Sequence, residues 1–329
     1  MTQCSRMSRL FSSIVAVFFA AITFSIQASV QADTFGTSGN EFTIDFVDIG
    51  NAGNAADTTT YGAVHYEYRI GKYEISQDAI TRATASGLFN VTWDSSGNAT
   101  TGGGLDWTDR SAGADVEDWH DKPAVNISWY EAAAFVNFLN TSSGKTAAYD
   151  LSWSGAAWSM ALWSSDQAWT AGGTNLYRNK DAFYFLPSEN EWYKAAYHNA
   201  PGSSYFLYPT ASDTPPIAVA GGADASTAVY NKVNDLPASV TAAGGLSPYN
   251  TMGQGGNVWE ITEPGVHRGG NFWDEQEFLV SSGREPFAGQ SDFAAHYLGF
   301  RVASVPEPST YALLLMTGAG ALWFAKRRR

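Results

Sequence analysis

The sequence predicts a compact, loop-rich domain that combines strands with helices, and three observations support this. Residues 41–49 alternate apolar and polar side chains, which is the period of a half-buried strand. Between residues 255 and 301, short phrases pair Gly with a large aromatic side chain, as in tight turns packed by rings. Two further stretches place Glu three residues after Ser, as in the capping box of a helix start: Ser128–Glu131 and Ser188–Glu191.

The remaining elements follow from the same kinds of pattern. Residues 64–75 predict a second strand region, and Gln77–Ala85 predicts a short helix. The second capped helix is expected to end near Tyr197, and residues 200–248, rich in Ala, Gly, Pro, Ser and Thr, predict a long coil. The first capped helix repeats apolar residues along one face: Trp129, Ala132, Val136 and Leu139.

A tryptophan-rich segment lies between the two capped helices. Its indoles, at Trp153, Trp158, Trp163 and Trp169, are spaced five, five and six residues apart. This spacing matches neither the helix period nor the strand period. Two interpretations therefore stay open, namely a long loop packed by its own aromatic rings or a face that presents these rings to a ligand.

Six phrases, in a fixed order, resemble the motifs of the formylglycine-generating enzyme (sulfatase-modifying factor) family. The resemblance covers residues 42–304 and implies an α+β fold of the C-type-lectin-like kind, with two main helices and short antiparallel strands. The phrases are YRIGKYEIS (Tyr68–Ser76), PAVNISWYEAAAFVNFLN (Pro123–Asn140), FLPSENEWYKAAY (Phe185–Tyr197), GGNVWE (Gly255–Glu260), RGGNFWD (Arg268–Asp274) and LGFR (Leu298–Arg301).

The N-terminus has the layout of a secretory signal peptide. Arg6 and Arg9 precede an apolar run over residues 10–26, and Val30-Gln31-Ala32 offers a small-residue cleavage site for signal peptidase before Asp33. We therefore expect residues 1–32 to be removed on export. The alternative is that the segment stays as an N-terminal anchor.

The C-terminus, residues 305–329, resembles a PEP-CTERM sorting signal. Pro306, Glu307 and Pro308 precede the apolar run 311–325 and the basic end 326–329, an arrangement that also holds a chain in a membrane before processing. The resemblance implies recognition by an exosortase in a Gram-negative bacterium that makes exopolysaccharide. It also implies delivery to the cell envelope, the outer surface or the extracellular matrix. The alternative is an ordinary C-terminal anchor.

The domain that remains, residues 33–304, is acidic and has no cysteine. The whole chain has a formal net charge of −13, and the basic residues of both ends make the part between them still more negative. Such a surface repels phosphate backbones, so we expect no nucleic-acid partner. The single cysteine of the chain is Cys4, inside the signal peptide, so the exported domain has neither disulfides nor thiol chemistry.

The family's oxidase chemistry does not carry over to this sequence. The resemblance implies two active-site cysteines between the RGGNFWD and LGFR phrases that bind copper, and thiolate is the ligand class that Cu(I) prefers. The corresponding segment, residues 271–298, contains no cysteine. We therefore predict no catalytic residue and no copper, and the sequence favours a protein that is not an enzyme without settling the matter.

The resemblance also implies a structural calcium site at the GGNVWE loop. Its ligands would be the backbone carbonyls of Gly256 and Val258 and the carboxylate of Glu260, and oxygen ligands of this kind suit calcium. The sequence departs from the family at Gly253, where many relatives have Asp or Asn. The alternative role for Glu260 is to accept hydrogen bonds from the N–H groups of the loop.

The leading functional hypothesis is a binding module for a glycan, such as exopolysaccharide, or for a protein. Function often lies in loops held by a rigid scaffold, and Trp faces and directed polar groups suit such ligands. For Trp259 a core position is the favoured interpretation. The alternatives are a metal-dependent oxidoreductase with altered chemistry and a structural matrix protein. The candidate ligand residues are Trp259, Asn271, Trp273, Asp274 and Arg284.

Overall fold

The structure is a computed structural model that describes residues 30–86, 120–154, 157–263, 265–286 and 292–306. Most of the predicted signal peptide (residues 1–29) and the sorting signal from residue 307 lie outside these ranges. Within them the chain forms an α+β fold with many short strands and much irregular structure, which confirms the predicted fold class. The helices are α1 (Gln77–Ala85), α2 (Trp129–Ser142) and α3 (Glu189–Tyr197).

The strands are short, and most have two to five residues. In chain order they are β1 (Val30–Phe35), β2 (Phe42–Ile49), β3 (Tyr68–Gly71), β4 (Asp150–Trp153), β5 (Trp158–Ala161), β6 (Ala168–Trp169), β7 (Asn175–Asn179), β8 (Tyr184–Phe185), β9 (His198–Asn199), β10 (Ser204–Tyr205), β11 (Ile217–Ala218), β12 (Thr227–Ala228), β13 (Trp259–Ile261), β14 (Val266–Arg268), β15 (Glu285–Pro286), β16 (Leu298–Phe300) and β17 (Ala303–Ser304).

The main sheet brings the two ends of the domain together. Its strand order is β1-β2-β3-β17-β8, and every neighbouring pair is antiparallel. The predicted strand at residues 41–49 is confirmed as β2, whose alternate residues Ile44 and Phe46 are buried. The broader strand region predicted over residues 64–75 is reduced to β3. Helix α2 lies against this sheet, and its Phe135 ring stacks on Phe42 of β2 with ring centroids 6.1 Å apart.

Strand β1 begins at Val30, ahead of the predicted domain start at Asp33. Its first residue pairs with Val47 of β2, and the Asp33 carboxylate accepts hydrogen bonds from Arg69 at 2.7 Å and from the Tyr184 hydroxyl at 2.8 Å. Residues 30–32 are thus part of the sheet in the unprocessed chain. Cleavage before Asp33 would still leave the Asp33–Arg69 ion pair in the domain.

Both predicted capping boxes are present. The Ser128 side chain accepts from the Glu131 backbone N–H, and the Glu131 carboxylate accepts from the Ser128 N–H at 2.8 Å. The same reciprocal bonds join Ser188 and Glu191 at the start of α3. These bonds satisfy backbone N–H groups that have no partner inside the helix. Both partners lie within four consecutive residues, so the sequence alone could predict the motif.

The tryptophan-rich segment forms two hairpins, which corrects the expectation of a loop without strands. Strand β4 pairs with β5, and β6 pairs with β7 around a register shift at Ala168 and Trp169. The spacing of the tryptophans did not indicate strands because the hairpins are short and irregular. Most strand pairs are antiparallel, as predicted, and two pairs are parallel, namely β13 with β16 and β11 with β12.

Among the described ranges, no helix combines the length and the apolar composition needed to cross a bilayer. The apolar run at residues 311–325 lies outside those ranges, as do Glu307 and Pro308 of the sorting motif. Pro306 is the last described residue, and it is exposed.

Candidate functional site

The GGNVWE and LGFR phrases meet in a buried ion pair between Glu260 and Arg301. Arg301 Nη2 lies 2.5 Å from Glu260 Oε1, and both side chains are fully buried. The indole N–H of Trp192 donates to Glu260 Oε2 at 2.7 Å. Since β13 and β16 are adjacent parallel strands, the two motifs reach each other directly. A buried carboxylate needs such partners, so this contact explains why both motifs are present.

A second buried carboxylate, Glu74, lies beside this pair. It accepts hydrogen bonds from the Asn257 side-chain amide at 2.8 and 3.1 Å. Burial, and next the negative charge of Glu260, hold the pKa of Glu74 well above its usual range. Gly253 adopts φ of +79°, and a Cβ atom there would lie 2.9 Å from the Glu74 carboxylate. A larger side chain at this position would therefore crowd the Glu74 carboxylate.

The predicted calcium ligands Gly256, Val258 and Glu260 lie close together, but they form a poor donor set for a cation. Both carboxylate oxygens of Glu260 already accept from the Arg301 guanidinium, so calcium at these oxygens would have to displace a positive group. Gly256 is tightly enclosed, since a Cβ atom there would lie 2.1 Å from the Val229 carbonyl oxygen. In the described part of the chain, no three His, Cys, Asp or Glu residues are placed to hold a metal ion. Calcium stays a prediction.

Arg284 lies in a separate polar cluster on the far side of β14. Its guanidinium pairs with Glu189 of α3 at 2.9 Å, and Arg268 of the RGGNFWD phrase pairs with the same carboxylate at 2.5 Å. Both guanidinium groups also lie over the Tyr61 ring, at 4.7 and 5.5 Å from its centroid. Arg284 is thus part of a cluster of two arginines, one carboxylate and one aromatic ring. The structure does not place it with the other candidate ligand residues.

Trp259 is a core residue, in agreement with the favoured interpretation. Its side chain is buried, and its ring packs edge-on against Phe278 with centroids 6.0 Å apart. The nearby Asp274 carboxyl is half-buried, and burial raises its pKa.

Asn271 and Asp274 shape the turn that carries Trp273. The Asn271 side-chain oxygen accepts from the Trp273 N–H at 2.6 Å, and the Asp274 carboxylate accepts from the Asn271 N–H at 2.9 Å. Asn271 is buried, whereas Trp273 and Asp274 are half-buried. These polar side chains hold the turn rigidly and leave the Trp273 ring partly open to solvent.

Two residues that were not among the sequence candidates complete this surface. The Trp273 ring lies 4.4 Å from the His296 ring and 6.4 Å from the Tyr297 ring, measured between centroids. All three side chains are half-buried. The Nε2 atom of His296 is buried, and among the described residues it has no hydrogen-bond partner. Burial also lowers the pKa of His296, so the imidazole is neutral. We call Trp273, His296 and Tyr297 the closing-loop aromatic surface.

His296 and Tyr297 could have been noticed in the sequence because they directly precede the LGFR phrase. No periodic pattern or charge marks them as site residues. Another centre that the sequence did not reveal joins Arg178 to two buried carboxylates, Glu191 and Glu263, at 2.9 and 3.0 Å. Its partners are far apart along the chain, and their saturated ion pairing indicates a structural role.

Comparison with protein families gives two matches. Residues 46–305 match the sulfatase-modifying factor enzyme 1-like domain, and residues 304–329 match the PEP-CTERM protein-sorting motif. No curated protein matches the chain.

Two solved structures are similar to this chain along most of its length. Treponema denticola variable protein 1 is 18% identical with a TM-score of 0.54, and the match covers 85% of this chain and 100% of that one. The crystal structure of CarF is also 18% identical, with a TM-score of 0.52, and the match covers 80% of this chain and 99% of that one. At such low identity the likeness shows the fold alone.

Proposed function

This chain belongs to the family of sulfatase-modifying factor enzyme 1-like domains, and from that premise we propose that it is a non-oxidase binding module. Its PEP-CTERM motif implies exosortase processing and export to the envelope of a Gram-negative bacterium. The proposed ligand is a glycan or a protein, held at the closing-loop aromatic surface. Display at the cell surface or in an exopolysaccharide matrix is part of the proposal.

The absence of cysteine from the exported chain supports a role other than copper-dependent oxidation. Residues 33–329 contain no thiol, so no thiolate can bind Cu(I) in the manner of the family's oxidases. Two of the acids that the family motifs contribute are paired with buried bases from the same motifs. Glu260 pairs with Arg301, and Glu189 with Arg268. These ion pairs stabilise the fold, so their groups are not free for acid–base chemistry.

The observation that carries the proposal is the rigid, half-open position of Trp273. Its turn is fixed by Asn271 and Asp274, so presenting the ring to a ligand costs little side-chain entropy on binding. The ring face suits the apolar face of a sugar or of a side chain. The His296 ring lies beside the indole, and burial lowers its pKa, so the surface next to Trp273 favours an uncharged imidazole that suits a neutral ligand.

The test measures binding of the full chain, extracted in a detergent without a sugar headgroup, to the host's exopolysaccharide, a glycan panel and envelope proteins. We expect saturable binding that Trp273→Ala weakens about tenfold, corresponding to about 1.4 kcal/mol. The matched control is Ile217→Ala, which removes an apolar side chain that is 68% exposed on β11. Each titration is run with calcium and with chelator, so that a metal requirement is measured separately.

Two outcomes would contradict the proposal. One is the absence of saturable binding to any member of these ligand sets, which would favour a structural matrix protein. The other is equal binding by the native chain and Trp273→Ala, while both show the same melting temperature. Stoichiometric iron or copper with oxygen uptake in natively purified protein would instead favour the oxidoreductase alternative.

A further inference from the structure

The β4–β5 hairpin carries its apolar residues beyond the edge of the core. Within the part of the chain that the structure describes, its two strands pair only with each other. Near the base, Leu151 and Met160 are cross-strand partners that pack against the main core cluster. Side chains two residues apart along a strand share a face, so the next pair on that face is Trp153 and Trp158. The face that is packed at the base is therefore open at the tip, where Trp153 is 37% exposed.

The two indoles form one aromatic surface. Their ring centroids lie 5.1 Å apart, with 50° between the ring planes. They lie next to the Ser154–Ala157 backbone hydrogen bond, at the cross-strand position where side chains approach most closely. We call Trp153 and Trp158 the hairpin tryptophan pair.

The surroundings of this pair are uncharged. No Asp, Glu, Lys, Arg or His occurs between Leu151 and Ser165, although the chain as a whole has a net charge of −13. The opposite face of the hairpin carries the exposed hydroxyls of Ser152 and Ser159. The result is a neutral, aromatic and hydroxyl-bearing projection on an acidic protein.

We propose that the hairpin tryptophan pair is a binding site for neutral polysaccharide, separate from the closing-loop aromatic surface. The C–H faces of pyranose rings stack on indoles, and two adjacent rings offer contacts to successive sugars of one chain. A neutral polymer meets no charge to desolvate within residues 151–165, which carry the pair. An anionic polysaccharide or an anionic membrane would instead be repelled by the acidic remainder of the protein and would meet no basic residue here.

This proposal does not depend on which ligand the closing-loop aromatic surface binds. Either the hairpin proposal or the proposed function can therefore fail while the other holds. The test is affinity electrophoresis of the full chain in zwitterionic detergent, through gels that contain dextran, a soluble β-glucan or alginate. We expect the neutral polymers to retard the native chain and alginate to leave it unretarded. Trp153→Ala and Trp158→Ala should each weaken retardation about tenfold, as expected for the loss of one stacked ring.

Matched variants separate ring stacking from folding and from general hydrophobicity. Leu162→Ala removes a 53% exposed apolar side chain from the same uncharged segment and should leave retardation unchanged. The double variant Trp153→Leu/Trp158→Leu keeps an apolar cross-strand pair while removing both ring faces, so it should lose retardation with the fold intact by circular dichroism. Trp273→Ala, which alters the other surface, should still be retarded by the neutral polymers.

Three outcomes would overturn the proposal. The first is that neutral polymers fail to retard the native chain. The second is that the double leucine variant is retarded as strongly as the native chain. The third is tryptophan-dependent sedimentation with phosphatidylcholine vesicles in the absence of retardation by either neutral polymer, which would make the hairpin a membrane contact.

Discussion

The family phrases around Glu260 and the β4–β5 hairpin both contain tryptophan, yet they place it in opposite environments. Trp192 and Trp259 are buried, and the Trp192 indole donates a hydrogen bond to the Glu260 carboxylate. The hairpin tryptophan pair lies in an uncharged segment, and Trp153 is exposed. The comparison shows that aromatic content does not by itself locate a ligand surface. Burial, and for Trp192 a carboxylate partner, distinguishes the structural indoles from the hairpin pair.

The largest expected effect on stability comes from breaking the Glu260–Arg301 ion pair, which joins the GGNVWE and LGFR phrases. Arg301→Ala should lower the free energy of unfolding by about 3–5 kcal/mol, because it leaves a buried carboxylate without its counter-ion. It also leaves the carbonyls of Gly71 and Met252 without a donor. Denaturant unfolding followed by circular dichroism measures this loss.

The control for that variant is the double substitution Glu260→Leu/Arg301→Leu. It removes both charges and should cost less than Arg301→Ala alone, since no charge is then left buried and unpaired. A loss of less than about 1 kcal/mol in Arg301→Ala would contradict a structural role for the pair, because surface ion pairs contribute that little.

An intermediate effect is expected from pH, because two buried histidines are held neutral. Burial lowers the pKa of His198 and of His267 to about 4, below the ordinary value of 6.5. Between pH 6.5 and 4 these two histidines bind more protons in the unfolded chain than in the folded one. Their contribution to the free energy of unfolding should therefore fall as pH falls through this window.

His267→Gln should make this pH dependence shallower, and denaturant titrations at several pH values measure the slope. The hairpin offers the contrast, since residues 151–165 contain no titratable side chain. Trp153→Ala should shift the whole stability curve without changing its slope. An unchanged slope in His267→Gln would assign the acid sensitivity to other groups.

The smallest effect on stability is expected in the hairpin itself. Trp153→Ala should lower the free energy of unfolding by only about 0.5–1.5 kcal/mol, because it removes one aromatic pair contact from an exposed tip. Thermal melting beside Arg301→Ala provides the direct comparison. A loss as large as that of Arg301→Ala would mean that the hairpin belongs to the core.

The local starts of the main elements could be predicted from the sequence. Ser128 and Ser188 begin their helices with the expected capping boxes, α1 spans the predicted residues Gln77–Ala85, and the alternation at residues 41–49 marks β2. Each of these signals depends on neighbours within one or two turns of the chain. The hairpins of the tryptophan-rich segment had no such periodic signal, so they were missed.

The candidate site could be predicted only in part, for a similar reason. The sequence placed Trp273, Asn271 and Asp274 in one phrase, and the structure keeps them in one turn. Arg284 was grouped with them as a directed polar group, but its partner Glu189 comes from α3. His296 joins Trp273 only because strand pairing brings the LGFR segment back beside the closing loops.

The sequence by itself determined the family motifs, the capped helices, the sorting signal and the lack of thiol chemistry in the exported chain. Each of these is a property of residue type and short spacing. The tertiary structure alone decided which charged groups are buried together and which tryptophans reach solvent. The reason is physical, because burial and ion pairing depend on distances between segments that are remote along the chain, as with Glu74, Glu260 and Arg301.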